Sequence, residues 1–223
     1  MLFFNATNYE DKRPLYNYGF ENNEVFEGES LSKIYDLIVT TKMFNPLWTK
    51  IFKRKMIDWN TDYEQYKSVS NGTDAFQLIP ILFSCKRIVY WDEVCYYYRV
   101  DNNSSSIIHK FNPGFYNSVR SIFDRLCFYI NGSSVIPSGM YDEKLKLRWL
   151  SSMASAVYKI RQAKSENKEA VLSYLKKLRE DDLLAEYYTR ERIKKLSASR
   201  RAILRLLMNE KYGTLIFLIG FMK

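Results

Sequence analysis

Near residue 111 the chain changes character, and that change limits the folds open to it. Before it, short β-branched and aromatic runs alternate with helical segments and turn formers. From Pro113 on, apolar residues recur at threes and fours over Phe115–Ile130, Tyr141–Arg161, Lys168–Arg179 and Leu183–Leu196. The first pattern predicts an α/β portion over residues 1–110, and the second a predominantly α-helical region over residues 111–223. Charge divides at the same place: residues 1–110 carry 13 Lys or Arg against 14 Asp or Glu, and residues 111–223 carry 21 against 11. The net charge of +9 is therefore a property of the helical part, which calls for an acidic partner. With 47% apolar residues, 18 Tyr and 14 Phe, 223 residues can bury one large core or two small ones.

In the first part, Met1–Thr7 reads as a buried strand and Tyr9–Asn23, with Pro14 and Gly19, as an exposed excursion. Leu31, Ile34, Tyr35 and Ile38 give helical spacing to Gly28–Thr40, and Glu27 and Glu29 sit where the helix dipole favours them. Asn45–Phe52 suggests a short strand with Trp48 buried, leading into Lys53-Arg54-Lys55. Asn71-Gly72-Thr73-Asp74 is a tight turn into a helix over Ala75–Cys85, which Pro80 should kink or shorten. Arg87–Trp91 and Val94–Val100 flank Asp92-Glu93 as the arms of a hairpin would, and Asp101–Ser106 is a run of turn formers.

Several chemistries are disfavoured. His109 is the only histidine and no Gly-x-Ser-x-Gly elbow accompanies it, which argues against a Ser-His-Asp hydrolase. Cys85, Cys95 and Cys127 form no Cys-x-x-Cys pair, so neither a zinc ribbon nor a disulfide framework is indicated, and a reducing cytoplasm fits. The glycines fall into neither a P-loop nor Gly-x-Gly-x-x-Gly. Asp74 at a helix start is by itself an ordinary cap position.

Taken in order, Asn45-Pro46-Leu47-Trp48-Thr49-Lys50-Ile51-Phe52, Gly72-Thr73-Asp74, Tyr96-Tyr97-Tyr98-Arg99 and Asn103-Ser104-Ser105-Ser106 resemble the second half of bacterial family 2 glycosyltransferases. The resemblance implies a partial A-type glycosyltransferase fold in which Asp74 is the general base of an inverting transfer from a nucleotide-sugar donor to a glycan or lipid-linked acceptor. Thr73 stands where that family usually has Glu. Trp48, Lys50, Thr73 and Tyr97 are then donor- or acceptor-binding positions, Arg99 neutralises diphosphate charge, and Ser104 and Ser106 donate hydrogen bonds. The family also implies a divalent metal, Mn or Mg, held by an Asp-x-Asp motif. This sequence has none, its nearest spacing being Asp62-x-Glu64, so no metal ligands are assigned. Met1–Thr7 resembles the strand that follows that motif, and the chain resembles an acceptor-side half expected to bind nucleotide-sugar poorly.

Towards the end, Arg190, Arg192, Lys194, Lys195, Arg200, Arg201 and Arg205 accompany Ile203, Leu204, Leu206 and Leu207 before the apolar run Leu215–Ile219. That run falls short of the ~20 residues a bilayer span needs. The expectation is an interfacial helix on an anionic membrane surface, placing the protein in the cytoplasm, peripheral at the inner face of the cell membrane. The bland counterpart is a helix pair packed on the core with a solvated basic face. No nucleic acid is expected as a partner, since no recognised binding motif is present. The alternative to an enzyme is a non-catalytic membrane- or partner-binding module.

Overall fold

The structure, a computed structural model, describes residues 1–8, 12–58, 60, 64, 69, 71–99, 111–163 and 168–221. The chain folds into two compact units. The first consists of Met1–Asn102 with Ser121–Tyr141, the second of Asn103–Arg120 with Asp142–Lys223.

The first unit is mixed α/β. Its sheet is built from β1 (Leu2–Thr7), β2 (Val25–Glu27), β3 (Lys50–Ile51) and β4 (Arg87–Tyr97), in the order β2-β4-β1-β3. β1 and β4 are parallel, whereas β3 runs antiparallel to β1 and β2 antiparallel to β4. β1 reads Leu-Phe-Phe-Asn-Ala-Thr, almost without alternation, because both its faces are covered: Phe3 to Thr7 are all buried. Phe3 is the hub of an aromatic cluster, its ring centroid 4.9 Å from Tyr90, 5.1 Å from Phe44 and 5.3 Å from Tyr18. Tyr9–Asn23 is therefore not wholly exposed, since Tyr18 is buried in that cluster.

The expected hairpin does not form. Arg87–Tyr97 is one continuous strand, and the Asp92-Glu93 step is absorbed by register shifts against β1: Phe4 faces Trp91, Asn5 faces Val94, and Ala6 faces Tyr96. Two polar residues in mid-strand thus mark a bulge, where they stand exposed, and not a turn. Asn45–Phe52 also departs from expectation. Pro46 starts a 3-10 turn over Leu47–Thr49, which leaves only Lys50–Ile51 as strand.

α1 (Leu31–Thr40) buries Leu31, Ile34, Tyr35, Ile38 and Val39, the stripe its spacing predicts. α2 (Thr73–Phe83) begins directly after Gly72 and continues three residues past Pro80. α3 (Phe115–Asn131) starts in the second unit and continues from Ser121 in the first.

The second unit is helical. α4 (Asp142–Tyr158) is its axis, with Trp149, Leu150, Met153, Ala154, Ala156 and Val157 buried against α5 (Lys168–Arg179), α6 (Asp182–Tyr187) and α8 (Ala198–Met208). The single helix expected over Leu183–Leu196 is two, α6 and α7 (Arg190–Lys194). The chain turns tightly at Tyr188, where the Thr189 N–H donates to Tyr187 O at 2.9 Å, then extends at Thr189, which caps α7 by accepting from the Arg192 N–H. Arg192 then forks onto Glu143 of α4, with Nη2 2.9 Å from Oε1 and Nε 3.2 Å from Oε2. α9 (Tyr212–Phe221) folds back on α8 through a short turn at Asn209–Lys211. No helix among the described residues is long and apolar enough to cross a membrane.

Candidate active site

The turn before α2 needs glycine. Gly72 has φ +78°, in the left-handed region, and a Cβ added there would stand 2.6 Å from Ile122 Cδ1. A flexible methyl can give way, so backbone strain dominates, and Gly72→Ala is expected to lower stability by about 1–2 kcal/mol. Gly72→Asn should lose less, because Asn tolerates this conformation better than Ala does; equal unfolding midpoints for the two variants would contradict that cause.

From this turn α2 presents Asp74 in its first turn, half-buried. Its Oδ2 accepts the Leu47 backbone N–H at 3.2 Å, which binds the start of α2 to the turn after Pro46. The same turn is held from beneath by Lys50, which is 7% exposed. Lys50 Nζ donates to Pro46 O at 2.6 Å and to Thr49 Oγ1 at 2.9 Å, and lies 4.3 Å from the Phe44 ring centroid. Burial pushes the Lys50 ammonium down to about 7, with the Asp74 carboxylate pulling weakly the other way.

A folded-state value below the unfolded one means that between pH 7 and about 10 the unfolded chain holds a proton at this site that the folded chain has released. Stability should then rise with pH through that window, by up to about 1.4 kcal/mol per unit, and the full cost of burying the charge is felt below pH 7. Lys50→Met is expected to remove that rise. Urea denaturation at about pH 6.5, 8 and 9.5 measures it; parallel pH profiles for the two proteins would mean that Lys50 titrates normally.

Trp48, on the same turn, lies over the end of β4. Its ring stacks on Tyr96 (4.7 Å between centroids, 29° between planes) and on Tyr98 (5.1 Å, 17°). It is half-buried, in contrast to the buried tryptophan expected, because the two tyrosines beneath it are themselves exposed. The Tyr98 N–H donates to Thr7 O at 2.7 Å, so the two parallel strands stay joined to their carboxyl ends. In open α/β sheets ligands collect outside the carboxyl ends of parallel strands.

Tyr16 completes the cluster. Its backbone is gripped by the buried Asn5 of β1, whose Nδ2 donates to Tyr16 O at 2.7 Å and whose Oδ1 accepts the Tyr16 N–H at 3.1 Å. Burial raises the Tyr16 phenol above its ordinary value, and the facing Tyr98 and Asp74 groups add to the rise, so the hydroxyl stays a donor at neutral pH. Beside Asp74 along α2, Gln77 and Ile81 line a cavity of about 160 Å³, together with Leu47, Ile57 and Arg125. Residues 74, 77 and 81 share one helix face. A larger groove, about 840 Å³, runs along Tyr35, Phe83 and Tyr129, and none of Trp48, Lys50, Asp74 or Tyr16 lines it.

Of the positions nominated from sequence, Asp74, Trp48 and Lys50 come together, with Lys50 beneath the turn and bonded to it. Thr73 is exposed as the first residue of α2. Tyr97 and Arg99 are exposed at the end of β4; strand alternation puts Tyr97 on the face opposite Tyr96 and Tyr98, the pair that carries Trp48. Ser104 and Ser106 lie outside the described residues. Sequence reasoning misses Tyr16, Tyr96, Tyr98 and Asn5 as site residues. Asn5 leaves a sign in the sequence as a polar residue inside a largely apolar strand, and Tyr96 and Tyr98 flank the nominated Tyr97 in the same motif.

Among the described residues no three His, Cys, Asp or Glu side chains stand together to hold a metal ion. The described residues do not fit the divalent metal that the resemblance implies, and no step of the proposed chemistry is routed through one. Compared with protein families, with curated proteins and with solved structures, the chain has no match.

Proposed function

We propose that the first unit is the acceptor side of an A-type glycosyltransferase and that Asp74 is its general base. The observation that supports this reading is the placement of the Asp74 carboxylate: fixed by the Leu47 N–H at the start of α2, one turn before Gln77, which with Leu47 itself lines the 160 Å³ cavity, and on the same turn as Trp48 of the aromatic shelf. Rigid placement is what a base needs, since its effect depends on hydrogen-bond reach to one hydroxyl. The cavity is well below the ~300–1,000 Å³ of drug-sized sites, a size suited to one sugar ring.

In the proposed transfer the acceptor hydroxyl gives its proton to Asp74, and its oxygen bonds to the anomeric carbon from the face opposite the leaving group. The bond from that carbon to the nucleoside diphosphate breaks, with inversion. Trp48, Tyr96 and Tyr98 offer the aromatic surface against which a sugar face packs, and Tyr16 offers a hydroxyl donor. The reading is tested by joining the chain to a nucleotide-binding half of such an enzyme and comparing sugar transfer by the wild type with transfer by the Asp74→Asn variant.

A further inference from the structure

The α8–α9 hairpin of the second unit combines two surfaces that seldom occur together on a solvated protein. α9 is apolar on every side. Leu215 and Ile219, four apart, are fully buried against the unit, whereas Phe217 is 68% exposed and Leu218 37% exposed on the outer side. Basic residues outnumber acidic ones on the exposed surface of the hairpin: Lys211 stands just before α9 beside the one exposed acid there, Glu210, and Arg200 and Arg205 are exposed on α8, which packs against α9. Over residues 190–221 there are eight Lys or Arg and two Asp or Glu. Some of these charges are committed within the unit, Arg192 to Glu143 above all. Arg200, Arg205 and Lys211 remain exposed on the hairpin itself.

We propose that this hairpin is a docking surface for an anionic lipid bilayer, with Phe217 and Leu218 entering the interface and Arg200, Arg205 and Lys211 meeting lipid phosphates. Charge complementarity selects the occupant. A second copy of the chain would set two basic hairpins face to face, whereas an anionic bilayer supplies acyl chains for the ridge and negative headgroups for its margin. The helix is about 15 Å long, half the thickness of a bilayer core, so it lies in the interface and does not cross it. This inference uses the second unit alone and stands or falls independently of the role of Asp74.

The test uses the full chain with vesicles of phosphatidylcholine, with and without phosphatidylglycerol. Co-sedimentation is expected with the anionic vesicles only, falling as salt is raised from about 0.05 to 0.5 M as ordinary lipid electrostatics requires. The double substitution Phe217→Ser, Leu218→Ser leaves the inward Leu215 and Ile219 in place, so circular dichroism should be unchanged while partitioning falls about tenfold or more. Arg200→Gln with Arg205→Gln should lower it by roughly 25-fold, about fivefold for each charge removed. Phe217→Trp should shift its emission to the blue on binding. Partitioning unchanged in the double serine variant, or absent in the wild type at low salt, would overturn the proposal. So would a dimer in solution that the serine substitutions dissociate, or retention on RNA without retention on vesicles.

Discussion

Asp181→Ala is expected to destabilise the helical unit by about 3–5 kcal/mol, well above a typical point substitution. Asp181 is 4% exposed. Its carboxylate gathers four donors: Oδ1 accepts Trp149 Nε1–H at 2.9 Å and caps α6 through the Leu184 N–H, and Oδ2 accepts the Tyr116 hydroxyl at 2.7 Å and Arg120 Nη1 at 3.3 Å. α3, α4 and α6 therefore meet on one side chain. Removal leaves a buried indole N–H and phenol without that acceptor and a partly buried guanidinium, also seated 5.7 Å from the Trp149 ring, without its inner counter-charge. Burial, with the same carboxylate, pushes the Tyr116 phenol up to about 12.

Asp181→Asn keeps an acceptor for the cap but not the charge, and should fall between Ala and wild type. Asp182→Asn is the control. That carboxylate is exposed and also meets Arg120, at 2.7 Å, yet its loss should leave the denaturation midpoint within the scatter of surface substitutions. Equal losses at 181 and 182 would mean that burial at Asp181 contributes nothing.

Elements whose signal is local are legible in the sequence. The strand at residues 2–7, the helix closing at Thr40 and the helix over 168–179 follow from apolar spacing and turn residues alone. Three departures share one cause, that a polar or aromatic residue takes its meaning from a partner far along the chain or from the backbone step beside it. Asp92-Glu93 looks like a turn until β1 is present to absorb the extra residues as a bulge. Tyr16 and Tyr18 look exposed in a Pro- and Asn-rich stretch until Asn5 and Phe3 hold them. Leu183–Leu196 keeps helical spacing across Tyr188, and only the tight turn there, followed by the extended Thr189 cap, divides it. The candidate site is legible to the same degree. Gly72 and Asp74 are carried by a local motif, whereas the shelf of Tyr96 and Tyr98 requires knowing which face of β4 meets Trp48.

The second large effect concerns Asp74. Asparagine has the same shape, and its amide oxygen can still accept the Leu47 N–H, so the turn and α2 should persist and the unfolding midpoint should stay close to that of the wild type. Basicity is the property lost. A positioned base contributes about 10²–10⁴-fold, and that is the expected fall in kcat. The KM for acceptor should change by no more than a few-fold, because Trp48, the tyrosines and the cavity are untouched. Gly72→Ala, which moves the carboxylate without removing it, should lie between the two. The decisive measurement is single-turnover sugar transfer at saturating acceptor by the chain joined to a nucleotide-binding half. A loss of at least about 100-fold in Asp74→Asn with acceptor binding retained is the result predicted, and turnover within about threefold of the wild type would remove Asp74 from the reaction.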